Sequence, residues 1–168
     1  MRISPETHPI VTCIAPCAAS VTGDSGNSVN LEGYDGALII IQHGGTSDND
    51  MTFTIHEGAT AAVAKTGTYP LAVESGSTSG QEFKIWKNTA VSVSDALVRQ
   101  ANGVSVQVDS DLGTNQMVVF YVSASCLTNG RSWINVGYDA GHASNFVCIT
   151  YILDGGRYQQ TTPPTAIA

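Results

Sequence analysis

Short runs in which apolar and polar residues alternate recur along the whole chain, and no stretch sustains a helical period. Met51–Glu57 is the sharpest: Met51, Phe53 and Ile55 fall on one face, Thr52, Thr54 and His56 on the other. Ala37–Gln42 is a continuous apolar run, the pattern of a strand shielded on both faces. With Met51–Glu57 and the polar residues 43–50 between them it reads as a hairpin. Asn102-Gly103 is a type I′ turn signal, and after it Val104, Val106 and Val108 alternate with Ser105 and Gln107. Ser28–Leu31 and Glu82–Trp86 read as strands. Thr68–Val73 reads as an edge strand because Pro70 cannot donate to a ladder. Gly23–Asn27, Glu32–Gly36 and Asp109–Asn115 read as turns. Ala59–Lys65 is a helical turn or an irregular crossing, and Val91–Arg99 is open between a strand and a short helix from Ser94.

The last third carries three strand-like runs, Gln116–Cys126, Ser132–Tyr138 and Asn145–Leu153, joined by Asn129-Gly130 and Asp139–His142. A polar, proline-bearing end follows, so these runs read as the edge of a β domain with a free arm. In all there are about eight to ten strands at spacings of about 8–15 residues. The pattern predicts a single-domain, all-β antiparallel sandwich, jelly-roll-like, with extended N- and C-terminal arms.

Residues 1–20 read as the N-terminal arm, 21–157 as the sandwich body and 158–168 as the C-terminal tail. Pro5, Pro9 and Pro16 bias the arm to extended backbone, and Ile3, Ile10, Val11 and Ile14 give it apolar teeth. Such a segment suits a sheet edge, its own or a neighbour's.

Composition sharpens this picture. The chain has 168 residues, enough for one domain with a full core, and 42% are hydrophobic. Only 12% are charged, about half the usual share, so Ser, Thr, Asn, Gln and Gly must cover the surface. Net charge is −7 and the seven basic residues are scattered, which argues against a nucleic-acid partner. Lys84-Ile85-Trp86-Lys87 reads as a strand with a solvated lysine face. No run reaches the ~18 apolar residues of a membrane span, and the acidic, proline-containing start does not resemble a signal peptide. Synthesis in a cytosol is expected, which disfavours disulfides among Cys13, Cys17, Cys126 and Cys148. Cys126 and Cys148 sit in apolar runs and read as small hydrophobes, and Cys13-x3-Cys17 is a loose spacing for zinc.

Reactive signatures are weak. Gly23-Asp24-Ser25-Gly26 matches the peptide around a trypsin-like serine nucleophile, but only His8 lies upstream of it, so a turn explains it better. His56-Glu57 lacks a second histidine, since Thr60 stands there, and Gly76–Gly80 carries Thr78 at the position of a nucleophile elbow. Ser47–Asp50 and Asp109–Asp111 could offer oxygens to calcium; turn geometry is the simpler account. His43, His56 and His142 read as surface or packing residues in or beside turns. Trp86, Trp133, Tyr34, Tyr69, Tyr138 and Tyr158 could form a sugar platform but more often pack a core. No enzyme and no cofactor is expected.

Ile14-Ala15-Pro16, Glu32-Gly33-Tyr34-Asp35-Gly36 leading into Ala37–Ile40, and Thr52–Glu57 resemble segments of small tailed-phage and prophage head proteins. So do Asn129–Val136, Ile149–Leu153, Gly156-Arg157-Tyr158 and Pro163-Pro164. The likeness covers roughly 14–57 and 117–164. It implies a non-enzymatic virion component, a capsid decoration or cement protein on the outer surface of the phage head. Its partners would be the major capsid protein and further copies of itself, as a dimer or trimer, with neither nucleic acid nor membrane. Met1–Pro16 and Tyr158–Ala168 would be contact arms, with Ile3, Ile10, Tyr158 and Ile167 as anchors and Pro9, Pro163 and Pro164 holding them extended. Arg2 and Arg157 would meet capsid carboxylates. On this reading, deleting residues 1–16 abolishes capsid binding and leaves the β fold intact. The rival expectation is a carbohydrate-binding or adhesin-like tail or neck component that uses Trp86 or Trp133; a hydrolase is weakest.

Overall fold

The computed structural model describes residues 5, 7–19, 24–44, 50–71, 84–88, 96–101, 103–108, 116–139 and 142–156. They form two antiparallel sheets packed face to face, an all-β sandwich. The strands are β1 Ile10–Ala18, β2 Asp24–Ser25, β3 Val29–Asn30, β4 Gly36–Gly44, β5 Met51–Gly58, β6 Lys84–Asn88, β7 Leu97–Arg99, β8 Ser105–Val108, β9 Gln116–Ser123, β10 Trp133–Tyr138 and β11 Phe146–Asp154. The first sheet runs β1-β11-β4-β9-β6-β7. The second runs β2-β10-β5-β8, with β3 also on β10.

Alternation decides what is inside. Ala37, Ile39 and Ile41 of β4 face Met51, Phe53 and Ile55 of β5 across the core, and all six are fully buried. Val118, Phe120 and Val122 of β9, Ile149, Tyr151 and Leu153 of β11, and Ile134 and Val136 of β10 complete it. Each such side chain contributes about 1.5–3 kcal/mol by leaving water. The hydroxyl of buried Tyr151 ties the layers together, accepting from the Val136 N–H at 3.1 Å and donating to the Asn27 carbonyl at 3.3 Å.

Strand pairing departs from the local expectation in three places. β4 and β5 are not a hairpin: β4 lies between β11 and β9, and β5 between β10 and β8 in the opposite sheet. Their apolar stripes meet through the core instead of sharing one face. β7 and β8 likewise belong to different sheets, and Gly103 is not among the glycines of positive φ that a type I′ turn requires; Asn102 lies outside the described residues. The three late strands are interior, not an edge. β9 and β11 flank β4, and β10 sits beside β5. Each carries a full inward stripe, and such strands gain most with a neighbour on both sides.

Smaller elements resolve the open segments. Ala61–Lys65 is a short helix, α1, whose N-cap Thr60 accepts the Val63 N–H at 3.3 Å. Asp24–Ser25, inside the expected turn, instead pairs with Tyr138 and Gly137. Of the 68–73 segment, Pro70 makes one bridge to His56, and residues 72–73 lie outside the described residues. So do residues 91–95, whereas Leu97–Arg99 is strand.

The arm region is the main revision. Ile10–Ala18 lies along the chain's own sheet, paired with β11 from Ile10↔Ile152 to Ala18↔Phe146. The register jumps between Thr12 and Ile14, a bulge that turns both Cys13 and Ile14 inward, at 4% and 6% exposure. Gly26 sits directly against this bulge. A Cβ there would run into the Cys13 carbonyl and the Ile14 side chain, while the Asn27 N–H donates to that same carbonyl at 2.9 Å. Removing residues 1–16 would therefore take core side chains with it, so an intact fold is no longer the expected result.

Candidate functional site

The outside of the first sheet is the most distinctive surface. Residues directly opposite across an antiparallel ladder share a face. One such row is Ile10, Ile152, Leu38, Tyr121 and Lys84. The next is Thr12, Thr150, Ile40, Val119, Trp86 and Arg99. Cys148, Gln42 and Met117 continue it. These positions alternate with the buried stripe and so point away from the core; most are half-buried by their neighbours on the face, and Val119 keeps only 8% exposure. A solvated sheet face is normally polar. This one is mainly apolar across five neighbouring strands, broken by Thr12, Thr150 and Gln42, which explains the uninterrupted apolar run at 37–41.

Its charges lie at the margins. Lys84 and Arg99 sit on β6 and β7, the Arg99 guanidinium lying 5.4 Å over the Trp86 ring. Asp154 lies on β11 at the opposite side, 3.4 Å from His8 Nε2 and accepting from the Tyr121 hydroxyl at 3.4 Å. Burial, then the Asp154 charge, raises the Tyr121 pKa, so this hydroxyl stays protonated and donating. Three large apolar side chains of this face stand clear of their neighbours: Ile10 at 55% exposure, Phe146 at 60% and, on β7, Leu97 at 37%. Phe146 borders a depression of about 480 Å³ shared with Pro16, Met117 and Cys148. Helix α1 packs on β10 and β5, outside the second sheet; among the described residues no α-helix lies across the first.

The second sheet carries a polar groove of about 600 Å³ beside α1, lined by Ser25, Thr54, His56, Lys65, Gly67 and Asp139. His56 pairs across the ladder with Asn135. Nδ1 of the first and Oδ1 of the second are both buried without a hydrogen-bond partner. Burial lowers the His56 pKa, so the ring is neutral at pH 7 and can hydrogen-bond an uncharged polar group.

A third feature is a buried carboxylate. Glu57 continues the inward stripe of β5 and has no exposed surface. Its oxygens accept from the Thr128 N–H at 2.9 Å, the Thr128 hydroxyl and Arg131 Nη1 at 2.7 Å. Arg131 in turn stacks on Tyr69 at 4.1 Å. The cluster pins the turn at Asn129-Gly130, where Gly130 has φ +82°. The burial of Glu57 is foreshadowed in the sequence. The signal was present: counting the alternation of Met51, Phe53 and Ile55 one step further places Glu57 inside.

His43 is a second buried polar residue, on β4 just after its continuous apolar run. It is not a turn residue but the last inward position of β4, 3% exposed, edge-on to Phe53 with ring centroids 6.5 Å apart. Neither ring nitrogen has a partner, and burial lowers the pKa. A lowered folded pKa means the stabilising contribution is whole above the unfolded value of about 6.5 and is lost as pH falls through the folded one. The melting temperature, followed from about pH 8 to about pH 5, should therefore fall, and fall less in His43→Leu. Equal slopes in the two proteins would remove His43 as the cause.

Among the expected contact residues, Ile10 lies on the apolar face, and the Pro9 carbonyl accepts the Leu153 N–H at 3.0 Å. Arg2, Ile3, Arg157, Tyr158, Pro163, Pro164 and Ile167 lie outside the described residues, as do 45–49 and 109–111 of the two acidic loops. The five aromatic residues among them that the structure describes, Trp86, Trp133, Tyr34, Tyr69 and Tyr138, do not assemble into one platform. Tyr34 and Tyr138 are buried, and Trp86 and Trp133 belong to different sheets. None of the four cysteines is in a disulfide; Cys13 lies in the core and Cys17 is exposed. Among the described residues no three His, Cys, Asp or Glu side chains gather as a metal site. Comparison of the chain with family models, curated proteins and solved structures finds no match.

Proposed function

We propose that this protein is a non-enzymatic structural component of a virus particle, a decoration or cement protein on the outer surface of a phage head. The apolar outer face of the first sheet carries this reading. Contiguous apolar surface on a folded domain marks a place where another macromolecule excludes water, and repetition over a shell multiplies modest contacts through effective concentration. Few charged side chains and a rigid sandwich suit a protein that must hold a position without turnover. The likeness of 14–57 and 117–164 to phage head proteins supports the same role.

Co-sedimentation with emptied tailed-phage capsids, followed by imaging of the shells, tests it. Saturable binding at regular lattice positions is expected, with reduced occupancy for Ile40→Lys. A folded protein that leaves every shell bare would refute the decoration role. A second reading, a carbohydrate-binding or adhesin-like tail component, draws on the hydroxyl-lined groove at His56. Retention on immobilised glycans, abolished by Thr54→Val with His56→Leu, would favour it.

A further inference from the structure

We infer that the apolar outer face of the first sheet pairs with the same face of a second copy, about a two-fold axis that runs along the strands between β4 and β9. This rests on the assembly reading and assigns this face to contact between copies on the shell, so that Ile40→Lys lowers shell occupancy by removing the contact between copies. The sheet order places three strands on each side of that line, β1-β11-β4 and β9-β6-β7. A two-fold there sets Ile40 of one copy over Val119 of the other, at the centre of the apolar rows, and lays β6 over β11. Lys84 then stands over Ile152, one step along β11 from Asp154, whose side chain keeps 33% exposure.

Charge selects this face for like-to-like contact. The chain carries −7 overall, so two copies repel over most of their surface. On the described part of this face two cations, Lys84 and Arg99, lie on one side and two carboxylates, Asp154 and Asp35, on the other, so the face is balanced while the chain as a whole is acidic. The axis brings the cationic side of each copy onto the acidic side of the other, twice per dimer. An isologous contact of this kind closes on itself, burying the patch without propagating. Two such sheets stack with strands within about 30° of parallel, close enough for the opposed rows to stay in contact.

Sedimentation velocity of the full chain over a concentration series provides the test. A reversible dimer is expected. Ile40→Lys should be monomeric with an unchanged far-UV spectrum. Lys84→Glu should weaken association about tenfold, and adding Asp154→Lys should recover most of that loss. Should Ile40→Lys misfold, the charge reversal and its rescue decide alone. A wild-type chain that stays monomeric to its solubility limit, or a dimer indifferent to these substitutions, overturns the pairing. A monomer whose Ile40→Lys variant loses capsid binding also overturns it but leaves the decoration role standing. A dimer as described that binds no capsid supports the pairing and removes that role.

Discussion

Replacing Arg131 with methionine should lower stability by about 3 kcal/mol, more than any comparable change at the surface. Glu57 is wholly buried, and its partner Arg131 keeps 25% of its side-chain surface. Losing the guanidinium leaves a carboxylate held only by the Thr128 N–H and hydroxyl, with no opposite charge. The loss belongs at the lower end of the range for buried pairs because those two donors remain. Glu57→Leu should cost less, about 1–2 kcal/mol, since Arg131 is already part-solvated and stacked on Tyr69, and only the Thr128 groups lose a buried acceptor. The double variant should be milder than the sum of the two, because it strands no charge. Urea unfolding followed by tryptophan fluorescence reads all three, Trp133 standing opposite Gly58, next to Glu57 in the chain. If Glu57→Leu proved the costlier single change, the carboxylate would not be the buried liability described here.

Chains lacking residues 1–16 should fail to fold, whereas chains lacking residues 1–8 should fold normally. The longer deletion removes most of β1 and with it Cys13 and Ile14. Each buried side chain is worth about 1.5–3 kcal/mol. The Asn27 and Leu153 N–H groups also lose the carbonyls of Cys13 and Pro9. The sum approaches the ~5–15 kcal/mol that holds a whole domain together. The bared edge of β11 then invites aggregation. The shorter deletion ends before Pro9 and, among the described residues, removes the buried His8 ring with its contact to part-exposed Asp154, a loss of about 1–2 kcal/mol. Soluble yield and the cooperativity of thermal melting separate the two outcomes. A soluble, sharply melting 17–168 chain would show that β1 adds little to the core.

Which positions face inward was legible from alternation alone along β5 and β8, and extending the count by one step along β5 would have included Glu57, whereas the continuous apolar runs of β4 and β9 left the inward side open. The apolar outer face was half-legible: the run Ala37–Ile41 announced a strand shielded on both sides, but not what shields it. The Glu57 cluster was illegible as a cluster, because Glu57 and Arg131 are far apart in the chain and meet only through β10.

The amino-acid order by itself therefore determined that this is a β protein, roughly where its strands lie and, for those that alternate, which side is apolar, because strand geometry alternates side chains with period two whatever the partner. Only the tertiary structure decided who pairs with whom. Backbone ladders carry no sequence code, so Ile10 finds Ile152 and Leu38 finds Tyr121 across long stretches of chain by burying the most apolar surface together. That same choice aligned the outward apolar residues of five strands into one face.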